Sequence, residues 1–227
     1  IKIPANVKKI GESAFLYCSK LEEVFIADGI ENLSVAIFSN CEELKKITLP
    51  STLQYIPKEA FDSCWLLKEI ILPKGIRGIA DDAFSGCQSL MTIHIPESVK
   101  EIGRYAFRGC FALKEINIPE GVVGISEMCF YDCCELASVN LPNSLRCIMG
   151  DAFCNCSGLR VKIPENVDYI VDSAFCQCND MEIWVPEGEV ENIKSKCVDC
   201  YDLTIKEYIR ENKVHVTEES NKAKETY

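Results

Sequence analysis

Residues 1–205 are predicted to form a solenoid of about nine right-handed coils, each 22–23 residues long. The coils stack into a parallel β-sheet with short turns or 3₁₀ segments and little α-helix. Three observations predict it. Cys18, Cys41, Cys64, Cys87, Cys110, Cys133 and Cys156 recur every 23 residues, and Cys178 and Cys200 follow at intervals of 22. Three residues before the first eight stand Phe15, Phe38, Phe61, Phe84, Phe107, Phe130, Phe153 and Phe175. Proline ends most copies of one apolar run, at Pro50, Pro73, Pro96, Pro119, Pro142, Pro164 and Pro186. Self-similarity at a fixed short period marks a repeat array.

The unit reads L-x-x-I-x-I-P-x-x-V-x-x-I-x-x-x-A-F-x-x-C-x-x. Its first six positions end in period-2 alternation, which predicts a strand. The proline lacks an N–H and restricts φ, so the strand stops there. V-x-x-I continues as a second short extended or turn segment, and A-F-x-x-C supplies a turn. Nothing this short holds a strand and a full helix, and a lone coil buries too little to offset its ordering entropy. Stacked neighbours must supply the rest, through ladder hydrogen bonds and burial of the flat faces of each coil. At about 4.8 Å per strand, nine coils make an array roughly 40 Å long. Residues 206–227 leave the pattern. Lys206–Val216 is expected to cap the last coil as a helix or strand, and Thr217–Tyr227 reads as a polar tail.

The run Ile95–Pro119, I-P-E-S-V-K-E-I-G-R-Y-A-F-R-G-C-F-A-L-K-E-I-N-I-P, resembles the BspA-type leucine-rich repeat. That repeat occurs in surface proteins of anaerobic and host-associated bacteria and in some parasitic protozoa. The resemblance implies a leucine-rich-repeat solenoid used for adhesion or protein binding. The ninth copy departs from it, with Lys196-Cys197 in place of Ala-Phe.

Composition narrows the function. The 227 residues carry a net charge of −11 and a pI near 4.8, which disfavours nucleic acid and anionic membrane as partners. No apolar run is long enough to span a bilayer, so no membrane insertion is expected. The segment begins at Ile1 without a basic and then apolar leader, so no signal peptide is read within it. His94 and His215 are the only histidines, which argues against histidine metal sites and most acid–base catalysts. No glycine-rich phosphate loop, H-E-x-x-H or G-x-S-x-G occurs. The expectation is a protein that is not an enzyme and needs no cofactor or metal.

Of fifteen cysteines, the nine-member column is read as buried free thiol, a small hydrophobe with a weak donor. Stacked Cβ vectors run parallel, which disfavours bridges between column members. Cys154-x-Cys156 and Cys176-x-Cys178 have the look of a zinc motif, but two of the four belong to the buried column. A Cys154–Cys176 disulfide across adjacent coils is the other possibility and stays open. Cys197-x-x-Cys200 reads as ladder plus a substituted Phe rather than a redox motif. So many thiols suggest a reducing setting, either the cytosol or the surroundings of an anaerobe.

Strand positions that do not point inward face solvent in two rows. The candidate partner-binding row is Phe25, Thr48, Ile71, His94, Asn117, Asn140, Lys162 and Trp184. The second row is Glu23, Lys46, Glu69, Thr92, Glu115, Ser138, Arg160 and Glu182. A scaffold with fixed inward columns and a varied outer face suits partner recognition, and Trp184, Phe25 and Ile71 are the candidate anchors. Trp65, Phe111 and Tyr201 lie on the edge after the cysteine column. The resulting expectation is a monomeric binding module of a cell-surface or secreted protein that meets a host or matrix protein. The alternative is a cytoplasmic leucine-rich-repeat scaffold for protein–protein interaction.

Overall fold

The computed structural model describes residues 1–197 and 199–209. It is a parallel β-solenoid of about nine turns with almost no helix. One face is built from the strands Lys2–Ile3, Glu23–Ile26, Lys46–Thr48, Glu69–Ile71, Thr92–His94, Glu115–Asn117, Ser138–Asn140, Arg160–Lys162, Glu182–Pro186 and Thr204–Tyr208. Every pairing is parallel and joins residues one repeat apart, as in Ile70 with Ile93 and Val161 with Ile183. The middle residue of the short strands is buried and its neighbours face outward. This is the period-2 pattern that L-x-x-I-x-I encodes.

The sequence predicts a single sheet, and the fold has a second ladder. Tyr55–Ile56, Gly78–Ile79, Glu101–Ile102, Gly124–Ile125, Cys147–Ile148 and Tyr169–Ile170 form two-residue parallel strands around the next corner. Each comes from V-x-x-I, and its isoleucine enters the core.

The A-F-x-x-C segment, expected as a turn or 3₁₀ piece, is a turn of alternating handedness. Residues two before and two after each Phe take positive φ: Asp82 and Gly86 flank Phe84, and Glu59 and Ser63 flank Phe61. The alternation turns alternate N–H groups toward the next coil. Thus Asp82, Phe84 and Gly86 donate to the carbonyls of Arg104, Ala106 and Arg108 at 2.9, 2.8 and 2.7 Å. Left-handed backbone costs a non-glycine residue about 1–2 kcal/mol. That cost is offset because the turn's backbone groups find partners between stacked coils instead of being buried unpaired. Gly86 and Gly109 occupy this position without the Cβ penalty.

The core is one continuous column set. The eight phenylalanine rings stack nearly parallel, with successive centroids 5.3 to 5.7 Å apart. Seven are fully buried, while Phe15, in the first coil, is half-buried.

The last coils depart from the beat. Val190–Lys194 is a five-residue helix that carries Ile193 into the isoleucine column. Thr204–Tyr208 pairs in parallel with Glu182–Pro186, so one strand runs across the expected 205/206 boundary and extends the sheet. The rest of the expected cap and the tail Thr217–Tyr227 lie outside the described residues. Among the described residues no helix is long and apolar enough to cross a membrane.

Candidate functional site

Parallel in-register pairing turns one repeat position into a straight row of side chains. Phe25 stands opposite Thr48, Ile71 opposite His94, Asn117 opposite Asn140 and Lys162 opposite Trp184. Pairing extends the row to Lys2 at one end and Lys206 at the other. Phe25, Thr48, Ile71, His94, Asn117, Asn140 and Lys162 are exposed. Ile71 is 84% exposed and Phe25 45%, so two large apolar side chains stand in water on one face. Asn140 donates its amide N–H to the Asn117 side-chain carbonyl, tying neighbouring coils.

Trp184 differs from expectation. It is half-buried, because the strand Thr204–Tyr208 stacks beyond it and the Lys206 ammonium lies 5.2 Å from its ring centroid. Sequence reasoning expected a cap beginning at Lys206 but did not place Lys206 over Trp184, since Lys206 fell outside the repeat columns.

The same corner holds an open groove of about 710 Å³. Asn140, Lys162 and Trp184 from the row line it, joined by Arg160, Asn166 and Tyr208. Tyr208 reaches back past the strand Glu182–Pro186, donates its hydroxyl to the Ile163 carbonyl at 2.6 Å and lays its ring 4.1 Å from the Lys162 ammonium. Glu182 accepts from Lys206 and lies 3.7 Å from Arg160. Tyr208 and Asn166 were not among the expected site residues. The signal was in the spacing: one 22-residue step beyond Pro186 lands on Tyr208.

The nine column cysteines are unbridged, and from the second coil on each thiol points at the coil behind. Cys64, Cys87, Cys110 and Cys133 donate to the carbonyls of Phe38, Phe61, Phe84 and Phe107, each at 3.2 Å. A thiol is small and apolar enough for a dry column and still supplies this donor. Burial raises these thiols well above the ordinary range.

Cys154 and Cys176 form a disulfide across adjacent coils, Cα atoms 4.6 Å apart. Both occupy the position after Phe. Cys156 and Cys178 turn away, onto the carbonyls of Phe130 and Phe153, so the four sulfurs of the zinc-like pattern do not converge. Asp151 approaches the bridged pair. At the last coil Cys200 donates its thiol to the Phe175 carbonyl at 2.8 Å, while thiol contacts with Cys200 and burial hold Cys178 and Cys197 above the ordinary range.

Trp65, Phe111 and Tyr201, on the edge after the cysteine column, are exposed. Another corner places the Arg108 guanidinium 6.0 and 5.7 Å from the Tyr105 and Tyr131 ring centroids.

Comparison with known proteins matches residues 1–113 and 100–220 to the BspA type leucine-rich repeat region, with six copies. A leucine-rich repeat protein from T. pallidum has a similar structure, at 24% identity and a TM-score of 0.66, over 90% of this chain and 86% of that one. A leucine-rich repeat protein from Bacteroides ovatus aligns at 23% identity and a TM-score of 0.61, over 93% of this chain and 71% of its own. At these identities the likeness is one of fold. No curated protein matches.

Proposed function

Since the chain belongs to the BspA-type leucine-rich repeat family, whose members typically serve as non-enzymatic protein-interaction scaffolds, we propose that it is the binding module of a cell-surface or secreted protein. Its partner is a protein, recognised on the exposed face of the parallel sheet along Phe25, Thr48, Ile71, His94, Asn117, Asn140 and Lys162. The observation that carries this reading is the exposed row itself. Its side chains differ from coil to coil while the inward columns repeat, and it holds Ile71 at 84% exposure. An exposed apolar anchor among polar neighbours is the composition of an interaction surface.

Two features support the extracellular setting. The Cys154–Cys176 bridge suits an oxidising environment. The thiol column does not oppose it, because buried thiols with raised pKa present little thiolate to oxidants or disulfides.

The test is a pull-down from matrix and host-cell extracts with three baits: the parent, Ile71→Arg and Lys74→Glu. Lys74 lies in the corner turn, off the sheet face. A protein captured by the parent and by Lys74→Glu, but not by Ile71→Arg, supports the sheet face. Capture that survives Ile71→Arg and is lost with Lys74→Glu places the interface on the turn side and overturns the reading.

A further inference from the structure

The groove at the carboxyl-terminal end of the sheet has a lining unlike the rest of the face. We propose that it is a saccharide-binding site for a pyranose chain bearing a carboxylate, a uronate oligosaccharide. The site takes a different ligand from the protein partner above and does not rest on that reading.

Three features carry it. Volume comes first: about 710 Å³ of open groove accommodates two or three sugar rings. The second is the polar lining. Sugar hydroxyls both donate and accept, and the walls offer both kinds of group. Asn140 spends one amide N–H on Asn117 and keeps its second N–H and its oxygen. Asn143 and Asn166 add amides, while Trp184 and Tyr208, each with a lysine ammonium near its ring, add the apolar ring surface that a pyranose C–H face can cover.

Charge is the third. In a chain of net −11, the Glu182 carboxylate inside this corner is already matched by Arg160 and Lys206. Lys162 makes no ion pair among the described residues. Its ammonium is held 4.1 Å from the Tyr208 ring, inside the groove. Tyr208 is itself fixed by its bond to the Ile163 carbonyl, so the cation is positioned before a ligand arrives. A carboxylate supplies its counter-charge.

An extended acidic peptide fits less well. The strands Ser138–Asn140, Arg160–Lys162 and Glu182–Pro186 each pair with a neighbour on both sides. A peptide there gains no backbone ladder, and only side-chain contacts remain.

The experiment is isothermal titration of the intact chain with three probes: tri-galacturonate, its methyl ester and a glutamate tripeptide. The ester keeps the hydroxyls and ring faces and removes the charge. The peptide keeps the charge and removes the sugar. Tri-galacturonate is expected to bind with Kd at or below roughly 1 mM, and each of the other two at least roughly tenfold more weakly. Lys162→Met should lose roughly tenfold in affinity for tri-galacturonate with an unchanged circular dichroism spectrum, and Lys162→Arg should recover most of it. Lys74→Met, outside the groove, should bind as the parent does. Ester binding equal to that of tri-galacturonate overturns the role of Lys162, as does full affinity in Lys162→Met. Tighter binding of the tripeptide makes the groove a peptide site, and binding of no probe removes the site. Ile71→Arg should leave this titration unchanged, so the outcome is separable from the search for a protein partner.

Discussion

Raising the pH should unfold this protein steeply, and the cysteine column is the cause. Cys41, Cys64, Cys87, Cys110, Cys133, Cys156 and Cys178 are fully buried. Burial pushes the Cys41 thiol up to about 12 and raises the next five as well. For Cys178 the hydrogen bond to Cys200 acts first and burial second. In the unfolded chain the same thiols ionise near pH 8.5. Above that pH the unfolded state has lost protons that the folded state keeps, so stability falls as pH rises. The column's contribution is fully present below the unfolded pKa and is lost as pH climbs toward the folded one. Each thiol contributes about 1.4 kcal/mol per pH unit, so seven together give about 10 kcal/mol per unit. That matches the whole stability of an ordinary domain, about 5–15 kcal/mol. Far-UV circular dichroism should therefore show a sharp loss of structure within about one to two units above pH 8.5. A triple variant, Cys64→Ala with Cys87→Ala and Cys110→Ala, should unfold over a visibly broader range. The phenylalanine carbonyls it deprives, at Phe38, Phe61 and Phe84, keep the backbone N–H of the cysteine three residues on. An identical alkaline profile in the triple variant would refute the reasoning. Thiolate absorbance near pH 9 large enough to require ionisation of the seven column thiols, with the fold intact, would refute it equally.

Phe107 is fully buried and stacked 5.5 Å from both Phe84 and Phe130. Phe107→Ala should cost about 3–5 kcal/mol in urea unfolding, and a loss under roughly 1 kcal/mol would contradict the packing described. Glu59 sits at φ 56°, so Glu59→Gly should relieve left-handed strain and stabilise by up to about 1 kcal/mol, net of the added freedom of the unfolded chain. A lower melting temperature would sink that account of the turn. Trp184→Ala should destabilise by about 1–2 kcal/mol, because the indole is half-buried and carries Lys206; a neutral change would mean that the last strand does not cover it. Timed alkylation of the folded protein, read by mass spectrometry, should label exposed Cys134 first, and the seven column thiols and equally buried Cys129 last. After denaturation without reductant, thirteen cysteines should be labelled and two recovered as the Cys154–Cys176 bridge. Fifteen labels would show the bridge absent.

Most of the architecture was legible because a solenoid is nearly one-dimensional. Each coil touches chiefly its two neighbours, so a buried position must be apolar in every copy and appears as a column in the sequence. The phenylalanine, cysteine, leucine and isoleucine columns, and the outward row from Phe25 to Lys162, could therefore be read from spacing alone. The second ladder was only half legible: V-x-x-I marks an extended segment, but two-residue strands exist only when stacked.

What tertiary structure decided lies where the chain stops repeating or where a choice depends on hydrogen bonds. The first left-handed position of the A-F-x-x-C turn carries no residue signature, since Ala36, Glu59, Tyr105 and Met128 all occupy it, although the second often holds Gly, Asn or Asp, as at Asn40, Gly86, Gly109, Asp132 and Asn155. At that first position the conformation is selected by carbonyls in the next coil, not by local preference. The thiol column announced its burial, but its reason for being cysteine emerged only with the phenylalanine carbonyl one coil behind. The Cys154–Cys176 bridge needed the distance between adjacent coils. The groove required Tyr208 to fold back onto Ile163, 45 residues earlier. Burial repeats with the coil and leaves a period in the sequence; a contact made once, across two coils at the end of the array, leaves none.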